Sequence, residues 1–277
     1  MRYECSAASA WRRYDRLNVI DSYGFGLLFE DPPTLDSGAL MNRLRQDGMV
    51  DLVSASDEVI QVAYPDHPVS MAEGKIPSLV NIVRWANPIK PSDFKTALEQ
   101  TYDWAEAEET MSRCRHKVLV ADLTGAGLPY QERYELITAV LRAVVEVSGP
   151  SAIHWEPADC VVAPESLARR LSFYCNVRLF EITKPKGNRL VDTMGLTALG
   201  LVDAQCLFRE LDASKVAWWL YQFARQMYAK DDFVKDGEAL PGIDAAERWV
   251  CRHQLAMAPP VRAVIDVTPS APHAGKR

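Results

Sequence analysis

Apolar and polar positions alternate in short blocks, and the chain reads as strands and helices in turn. Residues 23–30 (YGFGLLFE) are short and continuously apolar, the pattern of a strand buried on both faces. Pro32-Pro33 ends it. Asp36 is placed to cap a helix over 37–46, with Leu40, Met41 and Leu44 on its apolar face and Gly48 just past its end. Residues 50–54 and 59–64 are strand-like, Glu73-Gly74-Lys75 marks a turn, and 78–85 reads as another strand. Pro91-Ser92 opens a predicted long helix reaching about Arg113, with Phe94, Leu98 and Met111 inward, and 117–123 (KVLVADL) is the clearest strand.

That order is close to β-α-β-β-α-β, with one strand-like stretch to spare. A less regular second pass follows. Residues 129–148 form an amphipathic helix with Tyr134, Ile137 and Leu141 on one face, and 152–155 is a short strand. Residues 164–171 make a short helix, and 177–183 with 190–194 form a hairpin around Lys186-Gly187-Asn188. One more strand is expected over 203–209. Asp212 caps a helix over 213–230, and 261–267 ends the fold as a strand. The expected class is α+β: a mainly antiparallel sheet with helices largely on one side, the order fitting two ferredoxin-like βαββαβ units packed together. The expected organisation is an N-terminal extension (1–22), a first α+β unit (23–127), a second (128–268) packed with it, and a disordered tail (269–277).

Composition narrows the function classes. At 277 residues and 48% hydrophobic, the chain can bury a large core without disulfides or metals. Its formal charge of -6, with only small basic clusters (Arg12, Arg13, Arg16; Arg169-Arg170), excludes a phosphate-tracking groove, so no nucleic-acid partner is expected. The six cysteines, at 5, 114, 160, 175, 206 and 251, form no C-x-x-C pair. They read as free thiols in a reducing compartment, with no metal site and no cofactor. Neither a leader-like apolar region nor an 18-residue apolar run occurs, which points to a cytoplasmic protein without a membrane span.

The segment TMGLTALGL, followed by Asp203, is the most specific stretch. With it go the apolar strand Leu27-Leu28-Phe29, a Pro and an L-x-x-x-L helix at Leu40 and Leu44, and the turn Gly74-Lys75-Ile76-Pro77. Together these make the chain resemble the bacterial domain-of-unknown-function family 4261, over about Tyr23 to Val267. The family motif is matched by Thr193, Gly195, Leu196, Gly200 and Asp203; Gln205 stands where a second acidic residue is expected, which weakens the case for a charged site. The resemblance implies a bacterial cytosolic protein and no particular reaction.

Four constellations have chemical potential. Asp122-Leu-Thr-Gly125-Ala-Gly127 lies between a strand and a helix, where backbone amides can hold an anion, although Tyr130 replaces the third glycine of a dinucleotide turn. Thr193 and Asp203 are further ligand-binding candidates. His154 and Glu156 flank Trp155, share one side of a strand, and are the acid–base candidates. Cys114-Arg115-His116 reads more simply as a cation-rich helix end than as an activated thiol. In the helix over 213–230, Trp218, Tyr221 and Tyr228 fall outside the stripe formed by Val216, Leu220, Phe223 and Met227, and are candidate partner anchors.

The expected function is therefore non-enzymatic: binding to another protein, for example as a toxin-neutralising (immunity) or secretion-associated accessory. The alternatives are a small-substrate hydrolase using His154 and Glu156, and a nucleotide or anion sensor at Gly125 and Gly127.

Overall fold

The computed structural model describes residues 23–230 and 234–276. The N-terminal extension, Cys5, the basic cluster at Arg12–Arg16, and Asp231 and Asp232 lie outside the described residues. The chain divides into two compact units between Ser172 and Phe173.

In the first unit, seven strands are ordered β2-β3-β4-β5-β1-β6-β7. They are β1 (Gly24–Phe29), β2 (Asp51–Ala55), β3 (Val59–Met71), β4 (Gly74–Arg84), β5 (His116–Asp122), β6 (Ala152–Trp155) and β7 (Cys160–Val162). β1 is central and buried throughout, as its unbroken apolar run requires. Helix α1 (Ser37–Leu44) starts at Asp36, whose carboxylate accepts from the amides of Gly38 and Ala39. Further along come α2 (Lys95–Glu99), α3 (Ala107–Arg113), α4 (Tyr130–Ser148) and α5 (Leu167–Leu171).

The α+β class and the mainly antiparallel sheet hold, while three finer features differ from the sequence reading. β5 and β6 both pair antiparallel with β1 and are joined by α4, the arrangement of a split βαβ unit, but the sheet has seven strands where one βαββαβ unit has four. Helices cover both faces: Tyr134 of α4 packs edge-on against Tyr23 beside one face, while Phe94, Ala97, Met111 and Cys114 cluster with Leu28, Ala152 and Val161 on the other. The boundary expected at 127/128 moves to 172/173, because β6 pairs with β1 and carries residues 152–162 into the first sheet.

The second unit is a six-stranded sheet ordered β11-β12-β13-β10-β9-β8. Its strands are β8 (Asn176–Ile182), β9 (Asn188–Met194), β10 (Asp203–Phe208), β11 (Ala239–Pro241), β12 (Arg248–Leu255) and β13 (Ala263–Thr268). Only β10 and β13 run parallel. Helix α6 (Ala213–Lys230) packs on one face through Val216, Leu220, Phe223 and Met227, and its Trp219 ring lies 4.8 Å from that of Trp249. Residues 270–276 are tied back to the sheet, contrary to the expected loose tail. Ala274 forms an antiparallel bridge to Phe208, Arg209 donates to the His273 carbonyl, and Asn188 and Lys276 exchange two hydrogen bonds. A returning strand end satisfies the free side of β10 beyond the end of β13.

Cys114, Cys160, Cys175, Cys206 and Cys251 are buried free thiols. Burial pushes Cys114 and Cys160 up to about 11 and Cys251 up to about 12. With Cys5→Ser in place to remove the one thiol outside the described residues, the native chain at pH 8 is expected to show no rapid reaction with Ellman's reagent. Denaturant should then release all five thiols; rapid stoichiometric labelling of Cys160 in the native state would contradict this burial.

Candidate functional site

The charged residues of the second unit assemble by strand register. Arg178, Asp192, Gln205, Asp266 and Arg252 are successive cross-strand neighbours on β8, β9, β10, β13 and β12. They lie on the face opposite Trp249 and therefore away from α6, since side chains alternate along β12. Asp192 is fully buried. It accepts two hydrogen bonds from Arg178, at 2.9 and 2.6 Å, and one from Arg262 at 2.7 Å. Arg262 also donates to the Thr193 carbonyl, and its Nε lies 3.4 Å from Asp203.

Asp203 organises the TMGL turn. Its carboxylate accepts from the Thr193 and Thr197 hydroxyls and from the amides of Leu196 and Thr197. The turn needs glycine where it bends: Gly195 has φ +133° and Gly200 has φ +82°. Gln205 donates to Asp266 and accepts from the Met257 amide, so it joins the β12–β13 connection to the sheet. The two ligand candidates Thr193 and Asp203 are thus brought together, and their polar atoms are engaged with this chain. Arg178, Asp192 and Asp266 of the row, and Arg262 just before β13, were missed in sequence; their signal is a lone charge within or beside an apolar strand.

Asp122 is likewise engaged. Its carboxylate accepts from the Tyr23 amide at 2.8 Å and from both Nε and Nη2 of buried Arg133 on the first turn of α4. A Cβ on Gly125 would overlap the Asp122 carboxylate, and one on Gly127 would overlap Val69. These glycines are explained by close packing, and the anion beside the start of α4 is the protein's own Asp122. Within the turn, the amides of Gly127 and Leu128 donate to the carbonyls of Thr124 and Gly125.

His154 and Glu156 do not share a strand face, because β6 ends at Trp155 and Glu156 opens a single 3-10 turn. Lys117 donates to Glu156 at 2.6 Å, passing over Gly26, where a Cβ would crowd its Cε. The His154 ring meets Phe94 edge-on at 5.1 Å, its Nε2 lies 3.9 Å from Asp159, and neither ring nitrogen has a hydrogen-bond partner among the described residues. Arg115, beside Cys114, donates to the carbonyls of Ser112 and Cys114 and so closes the end of α3. Among the described residues, no group of three or more His, Cys, Asp or Glu side chains is arranged to hold a metal ion.

The three aromatic anchor candidates on α6 separate. Tyr221 and Tyr228 are buried, with Tyr221 tilted against Phe173 and Tyr228 stacked on Tyr174 at 3.7 Å between ring centroids. Trp218 is 60% exposed. Tyr221 and Tyr228 are therefore core residues, and Trp218 alone of the three presents its ring to solvent.

The second unit is thus a mixed six-stranded sheet with one long helix on one face and a buried ionic row on the other. Residues 192–268 match the family model described as Domain of unknown function (DUF4261). The matched stretch starts at Asp192 and includes Asp203, Gln205, Arg262 and Asp266, so it contains most of the row and the turn that Asp203 holds. No curated protein and no solved structure matches the chain. No helix among the described residues is long and apolar enough to cross a membrane.

Proposed function

We propose that this protein works by binding another protein, as a cytoplasmic bacterial accessory of the toxin-neutralising or secretion-associated kind, and not by catalysis. The observation that carries this reading is Trp218, 60% exposed on a helix where Tyr221, Phe223 and Tyr228 are buried and Trp219 is half-buried. A solvent-facing Trp on a rigid, core-packed helix has the character of an interface anchor. Supporting it, Asp122, Asp192 and Asp203 each have their oxygens occupied by donors of the same chain, which gives them structural work.

The test is affinity capture of the tagged full chain from its native lysate, with Trp218→Ala as the comparison. Tyr221 is left intact because its ring is part of the core. The expected result is one stoichiometric protein lost from the variant, whose unfolding free energy stays within about 0.5 kcal/mol of the parent, as for surface positions generally. Capture of the same protein at full yield by the variant would remove Trp218 from the interface. A second reading, hydrolysis of a small polar substrate, is favoured by the unpartnered ring nitrogens of His154. Its weakness is Glu156, which is tied to Lys117 rather than to His154.

A further inference from the structure

We infer that the outward face of α6 is a docking surface for an acidic protein segment carrying an apolar side chain; this rests on the protein-binding reading above and specifies its partner. The 18 residues of α6 include Lys215, Arg225 and Lys230 but no Asp or Glu, in a chain whose formal charge is -6. The sign of this helix is therefore opposite to that of the protein as a whole. Helical spacing of 100° per residue puts Lys215, Trp218, Gln222 and Arg225 within one outward sector, and Lys215, Trp218 and Arg225 are all exposed. At 1.5 Å rise per residue, Lys215 and Arg225 stand ~15 Å apart along the axis with Trp218 between them.

The patch is held in shape before any partner arrives. The Trp218 ring lies 5.3 Å from the Tyr221 ring, and the Arg225 guanidinium sits 5.9 Å from the same ring. Tyr221 is in turn fixed by Phe173 at 4.8 Å. Buried Tyr221 thus anchors both an exposed aromatic and an exposed guanidinium, which lowers the ordering cost of binding. Among the described residues, neither Lys215 nor Arg225 forms an ion pair with a carboxylate. Asp212, just before the helix, is engaged as its cap by Ser214 and Lys215. The guanidinium is left with donors that fit a carboxylate side-on.

Charge complementarity chooses the occupant. A segment with two or three carboxylates around one apolar residue meets both cations and the indole. A polyanion such as nucleic acid would gain from few cations here while being repelled at longer range by the net negative chain. An anionic membrane would meet a helix whose main apolar stripe is already buried in the sheet.

The experiment is selection of random dodecamer peptides on the immobilised full-length protein, followed by titration of synthetic winners against the parent, Arg225→Glu and Trp218→Ala. The expected winners are rich in Asp and Glu with one large apolar residue. Their affinity should fall about tenfold or more in Arg225→Glu, a loss of about 1.4 kcal/mol. It should also fall as ionic strength rises from ~0.1 M to ~1 M and the screening length shortens from ~10 Å to ~3 Å. Neutral or basic winners that are lost in Trp218→Ala would overturn the acidic partner but keep the protein-binding reading. Winners indifferent to both substitutions would move the interface off α6. Single-stranded oligothymidine or phosphatidylserine vesicles that bind more tightly than any peptide, and are lost in Arg225→Glu, would overturn both statements. A folded second copy as occupant would show as a dimer dispersed by Arg225→Glu in sedimentation, which would overturn the assignment to a separate acidic segment.

Discussion

Asp192→Ala is expected to destabilise the second unit by about 3–5 kcal/mol, the cost of stranding buried charge. The carboxylate is fully buried and is the shared partner of two guanidiniums that are themselves almost inaccessible, Arg178 and Arg262. Removing it leaves Arg178 without its anion and Arg262 with Asp203 alone, 3.4 Å from its Nε. Urea unfolding measures the loss, and hydrogen exchange localises it: protection should fall first in β8, β9 and β10, where Arg178, Asp192 and Gln205 are cross-strand neighbours. Replacing all three charges at once, Arg178→Met, Asp192→Leu and Arg262→Met, should recover much of the loss, because a desolvated ionic group and a well-packed apolar group have similar net stability. A single Asp192→Ala change costing less than about 1 kcal/mol would mean that the row is hydrated in solution.

Asp122→Ala should have an effect of the same size in the first unit. Arg133 is buried and held by both carboxylate oxygens, and the Tyr23 amide loses its acceptor at the same time. The expected loss is again about 3–5 kcal/mol, with Arg133→Met in the Asp122→Ala background restoring part of it. The exchange readout should centre on β1, β5 and the start of α4. The variant also bears on the anion reading. An empty carboxylate position beside Gly125 would let phosphate stabilise Asp122→Ala but not the parent. Phosphate stabilising the parent instead would show that the turn has a ligand site besides its own Asp122.

Much of the architecture was legible in the chain because local pattern and tertiary role agree. The continuous apolar run of β1, the turn residues between β8 and β9 and the Asp36 cap needed no distant information. The helix read over 91–113 breaks into a 3-10 turn, α2 and α3, because Thr101 turns its hydroxyl to the Ala97 carbonyl and the Val161 amide, fastening the chain to β7. Helical periodicity cannot show such a long-range competitor. β11 and β12 went unseen for a related reason: their residues alternate weakly, and β12 acquires its pairing from β13 and β11 from β12.

The candidate site divides in the same way. Thr193, Asp203 and the glycines were visible as a motif, but a carboxylate that holds a turn and one that holds a ligand have the same sequence signature. Distance settles their engagement: Asp203 receives Thr193, Leu196 and Thr197. Arg178 and Arg262, the partners of Asp192, stand alone among apolar residues, so nothing local marks them as partners. Tyr221 and Tyr228 were grouped with Trp218 by helical angle, and only packing against Phe173 and Tyr174 separates them.

The buried row also bears on how the chain is made. Asp192 and Arg262, hydrogen-bonded in the finished sheet, are 70 positions apart in the chain. At roughly 5–20 residues per second, ~4–14 s separate their synthesis. Through that interval Arg178 and Asp192 can pair with each other, while β10 still lacks β13, and Asp203 lacks Arg262. Residues 23–172, by contrast, form a contiguous stretch whose sheet partners have all been synthesised by then. The nascent protein therefore carries an incomplete, charged sheet face until Arg262 and β13 have left the ribosome. Early termination before Arg262 would strand that face permanently, marking the truncated product for proteolysis.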